Sequence, residues 1–172
     1  MNANYASASS AVVIVASPEY AARDILARHW DRKIPVLPAK IATALHVRLQ
    51  PEMLGEISGR YFYDKRTETP CISWNISDSE LRQRFTIAHE LGHFVLEHGE
   101  NFRDPAHNFS LDNYQIPEVE ANRFAAELLM PRDALDYYVH EKNMDDIALL
   151  AKTFMVSEQA MLYRLRNLGW LT

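Results

Sequence analysis

The stretch from Arg82 to His98 limits this chain more than any other, because it reads as one helix with chemistry built into one face. Leu81, Phe85, Ala88, Leu91 and Val95 recur at helical spacing. Ser77, with Glu80 three residues on, is the capping pair expected to open it, and Gly99 the residue expected to close it. Inside lies His-Glu-x-x-His, at His89, Glu90 and His93. Positions four apart share a helix face, about 6 Å apart along the axis, so the two imidazoles can converge on one metal ion. Glu90 then projects toward the side where a reacting water would lie. Ile87, Leu91, Phe94 and Val95 mark the helix as buried, and two histidines without a partner would be costly there. Gly92 sits in the helix interior, where glycine costs roughly 1 kcal/mol against alanine. A close approach by another backbone element would explain it.

Two histidines leave a tetrahedral zinc short of ligands. A catalytic site uses three protein ligands and keeps one position open. Continued along the same helix, His98 falls nearly opposite His89 and makes a poor third. The remaining donor is a carboxylate from the next helix, which Pro117 opens and Pro131 ends. Glu120 is the first choice and Glu118 the alternative; both flank an inward stripe of Ala121, Phe124, Ala125 and Leu128. Histidine, histidine and glutamate together match a known catalytic zinc set, with Glu90 as general base toward a scissile carbonyl. His107 and Tyr114 lie in a long irregular stretch between the two helices, placed to face a substrate. With Tyr61 they are candidates, by residue type, for a second oxyanion donor.

The rest of the chain supports a mainly helical α+β fold. Ser17-Pro18-Glu19 opens a helix running to about Trp30, and Pro38 to Leu45 forms a short second one. His46–Leu49, Gly59–Asp64 and Cys71–Ile76 are β-type runs, expected to form a small antiparallel sheet of about three strands packed on the histidine helix. An edge of that sheet could receive an extended peptide. The tail reads as helices over Arg132–His140, Met144–Phe154 and Ser157–Leu168, the last two with the cadence of a helix-turn-helix. The expected division is a flexible arm over 1–16, a core over 17–131 and a helical subdomain over 132–172. Net charge is −5, and residues 132–172 carry five basic against six acidic groups, which argues against direct nucleic-acid binding. One cysteine, Cys71, excludes an internal disulfide and suits a cytoplasmic setting; it is expected in the core. No run approaches the length of a membrane span.

Arg-Gln-Arg-Phe-Thr-Ile-Ala-His-Glu-Leu-Gly-His-Phe (82–94), followed by Glu-Ala-Asn-Arg-Phe-Ala-Ala-Glu-Leu-Leu-Met-Pro (120–131), resembles the ImmA/IrrE family of metallopeptidases. Lys33-Ile34-Pro35-Val36, Ser58-Gly59-Arg60, Phe154-x-Val156-Ser157 and Arg164-Leu165 extend the likeness more thinly. The resemblance implies a zincin-like core with one Zn2+, His89 and His93 as ligands, Glu120 as the third ligand and Glu90 as catalytic acid/base. It also implies a protein substrate of the repressor or antitoxin type, encoded nearby, in a mobile element, stress response or toxin–antitoxin module. The competing expectation is a non-catalytic, zinc-stabilised regulator or toxin component acting through its C-terminal helices.

Overall fold

The computed structural model describes residues 17–98 and 116–171. Seven α-helices and three strands follow in the order α1 (Pro18–His29), α2 (Pro38–Ala44), β1 (Arg48–Glu52), β2 (Gly59–Asp64), β3 (Thr69–Asn75), α3 (Glu80–Val95), α4 (Ile116–Leu129), α5 (Arg132–Asp136), α6 (Ile147–Phe154) and α7 (Glu158–Asn167). α5 runs on into a π-helical turn, Tyr137–Glu141. The class is α+β, as expected. Among the described residues, no helix is long and apolar enough to cross a membrane.

The sheet departs from the antiparallel expectation. Its order is β1-β3-β2, with β2 antiparallel and β1 parallel to β3. Two features explain this. β3 carries the buried side chains Cys71, Ile72, Ser73 and Asn75, so it takes the centre. β1 contains Pro51, which cannot donate to a ladder and suits an edge. Asn75 secures the crossover: its backbone N–H donates to Ser58 O at 2.7 Å, and its side-chain amide donates to the carbonyls of Gly55 and Ile57. Cys71 is fully buried, as expected of a core residue.

α3 lies between the sheet and α4. Ser79 caps it, accepting from Arg82 N, rather than Ser77, whose hydroxyl and N–H both turn to Asn75 Oδ1. Trp74 of β3 donates to Gln83, whose own amide donates to Asp78 O, so the helix starts locked to the end of the sheet. On the other side Gly92 meets α4. A Cβ built there would stand 3.2 Å from Ala121 Cα and 3.3 Å from Ala121 O. The mid-helix glycine is thus the place where two helix backbones touch. Arg123 of α4 also pairs with Glu19 of α1, at 2.6 Å.

One hydrophobic cluster runs through the described residues, from Ala22 and Ile25 through Leu91, Phe124 and Leu128 to Leu135, Leu150, Phe154 and Met161. It crosses Pro131 without a break. The tail helices begin on Asp146 and Ser157, whose side chains accept from the first backbone N–H groups.

Candidate metal centre

α3 turns its first histidine and the one four residues on toward the same point. His89 Nε2 and His93 Nε2 stand 3.0 Å apart. The carboxylate that closes on them is Glu118, with one oxygen 3.2 Å from His89 Nε2 and the other 3.3 Å from His93 Nε2. The three donor groups lie within 4.8 Å of one another. Both rings are buried, at 6% and 2% exposure, while Glu118 keeps a quarter of its side chain open. Two imidazole nitrogens and a carboxylate oxygen are a donor set that suits zinc, and the partly open carboxylate side leaves room for a further ligand. The residues present therefore fit the ion.

Glu120, the first choice by sequence, stands elsewhere. Its Oε2 lies 3.1 Å from His98 Nε2. The reason is helical phase: Glu118 lies three and four residues before Ala121 and Asn122, on the face α4 turns to α3, and Glu120 is about 200° away from it around the helix. Asn122 confirms the facing, since its Oδ1 accepts from His89 Nδ1 at 3.0 Å. Both glutamates flank the buried stripe of Ala121, Phe124, Ala125 and Leu128, so periodicity alone does not rank them; the contact of Asn122 with His89 fixes which flank meets the histidines.

His98 also departs from expectation. α3 ends at Val95, before the expected stop, and Gly99 lies outside the described residues. Glu97 takes a left-handed conformation (φ 56°), and His98 N donates back to His93 O at 3.0 Å. That reversal brings His98 Nδ1 to 3.1 Å from His93 Nδ1. A helical wheel continued past Leu96 could not foresee it.

Glu90 is 3% exposed and follows His89 directly. β2 passes beside it: a Cβ on Gly59 would come 3.5 Å from Glu90 Cγ and 2.2 Å from Thr86 Cγ2. Tyr61 packs its ring 5.7 Å from that of Phe94, one residue past His93. His107 and Tyr114 lie outside the described residues.

The electrostatics follow from burial and contact. Burial opposes a charged His89, but its hydrogen bond to Glu118 and the charges of Glu90 and Glu118 outweigh it, so its pKa is raised. Burial likewise opposes ionisation of Glu118, yet its contacts with His89 and His93 hold it far below the usual carboxylate range. Burial, with the neighbouring His93, lowers His98 despite Glu120.

Comparison with known proteins gives this geometry a family setting. The model of the peptidase M78 family, described as IrrE N-terminal-like domain, matches residues 42–166. A relative, "Uncharacterized immunity region protein 2" of Bacillus phage phi105, is 38% identical over 117 residues, covering 66% of this chain and 71% of its own. Among solved structures, a "Mycobacterium tuberculosis transcriptional regulator" shares the fold with a TM-score of 0.58 at 16% identity. The superposition covers 86% of this chain but 46% of that longer one.

Proposed function

The chain belongs to the peptidase M78, IrrE N-terminal-like family, and from that premise we propose that it is a zinc-dependent endopeptidase acting on a regulatory protein. The observation that carries the reading is the convergence of His89 Nε2, His93 Nε2 and Glu118 beside the buried carboxylate of Glu90. His89, His93 and Glu118 would hold the ion. A bound zinc supplies Lewis acidity toward a scissile carbonyl and eases removal of a proton from water. Glu90 is the general base: it takes that proton as the water attacks, then returns it to the leaving amine nitrogen. Asn122 holds His89 through Nδ1, which keeps the Nε2 lone pair directed at the centre.

The sheet beside α3 is proposed to align an extended peptide, with β2 the strand that passes Glu90. Tyr61 belongs to that strand and is retained as a candidate for contact with the substrate carbonyl. The phage relative's immunity-region name supports a repressor-type regulator as the substrate class.

Co-expression with a repressor-like protein encoded nearby tests this directly. The wild-type chain should yield a new fragment of the partner. Glu90→Gln should retain stoichiometric zinc and lose cleavage by about 10²–10⁴-fold. Normal cleavage by Glu90→Gln would remove Glu90 from the mechanism.

A further inference from the structure

Each proposed histidine ligand uses Nε2 toward the centre, so its Nδ1 must carry the proton if Nε2 is to offer a lone pair. For His89 the acceptor of that proton is Asn122 Oδ1. For His93 the neighbour is a second imidazole, and two imidazole nitrogens can bond only if one donates and the other accepts. His98 Nδ1 is 3.1 Å from His93 Nδ1, and His98 Nε2 is 3.1 Å from Glu120 Oε2. A carboxylate accepts only, so His98 Nε2 donates to Glu120. A neutral His98 is then left with an accepting Nδ1. It takes the His93 Nδ1 proton, and the His93 Nε2 lone pair faces His89 and Glu118. The donor sequence has a single consistent direction: His93 Nδ1–H to His98, then His98 Nε2–H to Glu120.

We propose that His98 and Glu120 are positioning residues that fix the tautomer and ring orientation of His93, as Asn122 does for His89. The inference rests on the metal centre proposed above. The placement is specific, since it depends on the left-handed Glu97 turning the chain back and on Glu120 facing away from Glu118 along α4. The His98 side chain is 8% exposed, so its ring is shielded from solvent, while Glu120 keeps about a third of its side chain open. Partners of this kind typically alter metal affinity by 10–100-fold.

Zinc affinity by chelator competition, read on the full chain, tests it with His98→Phe, Glu120→Ala and Glu120→Gln. His98→Phe and Glu120→Ala should each weaken zinc binding 10–100-fold, and together should weaken it no more than either alone. Glu120→Gln, whose amide oxygen still accepts from His98, should bind close to wild type. Melting of the metal-free proteins separates this from a folding defect, and Glu120→Ala carries the test if His98→Phe does not fold. A nitrogen–proton correlation spectrum of the zinc-loaded wild type should show His93 protonated at Nδ1 and His98 at Nε2. Unchanged affinity in both His98→Phe and Glu120→Ala, or His98 protonated at Nδ1 instead, would overturn the proposal. So would complete loss of zinc in Glu120→Ala with full retention in Glu118→Ala, which would make Glu120 a ligand. A wild-type chain that takes up no zinc would sink the metal centre itself, a result distinct from all of these.

Discussion

Individual side chains make up this centre: two of them were within reach of the sequence, a third was narrowed to a pair, and a fourth was out of reach. His89 and His93 follow from helical spacing alone. Glu118 was narrowed to one of two carboxylates flanking the inward stripe of α4, but periodicity did not rank it above Glu120, which lies one turn before Phe124. His98 could not be placed, because its position depends on a backbone reversal at Glu97 that no local preference of glutamate announces. The same side chains set a pH dependence. Glu118 is depressed in the fold, so its contribution to stability is complete above its ordinary value of 4.5 and is lost as pH falls through the folded value. His89 is raised, so its contribution is complete below 6.5 and is lost as pH rises through its folded value. The metal-free protein should therefore draw most on this pair between about pH 4.5 and 6.5. Zinc requires His89 unprotonated, so apparent zinc affinity should climb with pH through the raised His89 value. Melting curves with chelator and with zinc, carried below pH 4.5 and above pH 6.5, read both trends. A zinc affinity that is flat with pH would contradict the assignment of His89.

Between elements, spacing matters more than identity. α4 carries Glu118 to the α3 histidines, and the closest point of the two helices is Gly92 against Ala121. Gly92→Ala gains roughly 1 kcal/mol of helix propensity, but the new methyl meets backbone that cannot rotate away. We expect a net loss of about 1–2 kcal/mol and a weaker zinc site, because Glu118 moves with α4. Thermal melting and zinc titration of Gly92→Ala check this; a stabilised variant with unchanged affinity would show that the helices can separate freely. The helices themselves were legible: Ser17, Ser157 and the proline starts mark their ends by capping chemistry that acts within a few residues. Strand order was not, because it depends on which strand the core most needs at its centre. Only Pro51 hinted that β1 belongs at an edge.

Across the whole molecule, the tail is held to the rest of the fold by a buried charge pair. Arg164 of α7 pairs with Glu127 of α4 and donates to Met130 O at 3.1 Å, with both side chains 6% exposed or less. Arg164, one of the two arginines of α7 with Arg166, is thus committed inward. Arg164→Ala should cost about 3 kcal/mol, because it leaves the buried Glu127 only the more distant, half-exposed Arg23 at 3.8 Å, whereas replacing Arg164 and Glu127 by methionine should recover most of it. Urea melts of the single and double variants measure the difference, and a single variant as stable as wild type would refute it. Arg84 makes a comparable tie, donating to Val36 O at 2.7 Å and Met155 O at 3.2 Å. A last consequence follows from the two-helix origin of the proposed ligands. About twenty-five residues of chain separate His93 from Glu118, so an ion gripped by both is a reversible clasp across that span, in a chain whose single cysteine rules out an internal covalent one. Its strength would be set by supply: each tenfold rise in free zinc above the dissociation constant should add about 1.4 kcal/mol to the unfolding free energy. A cell starved of zinc would then hold a looser protein as well as an idle one.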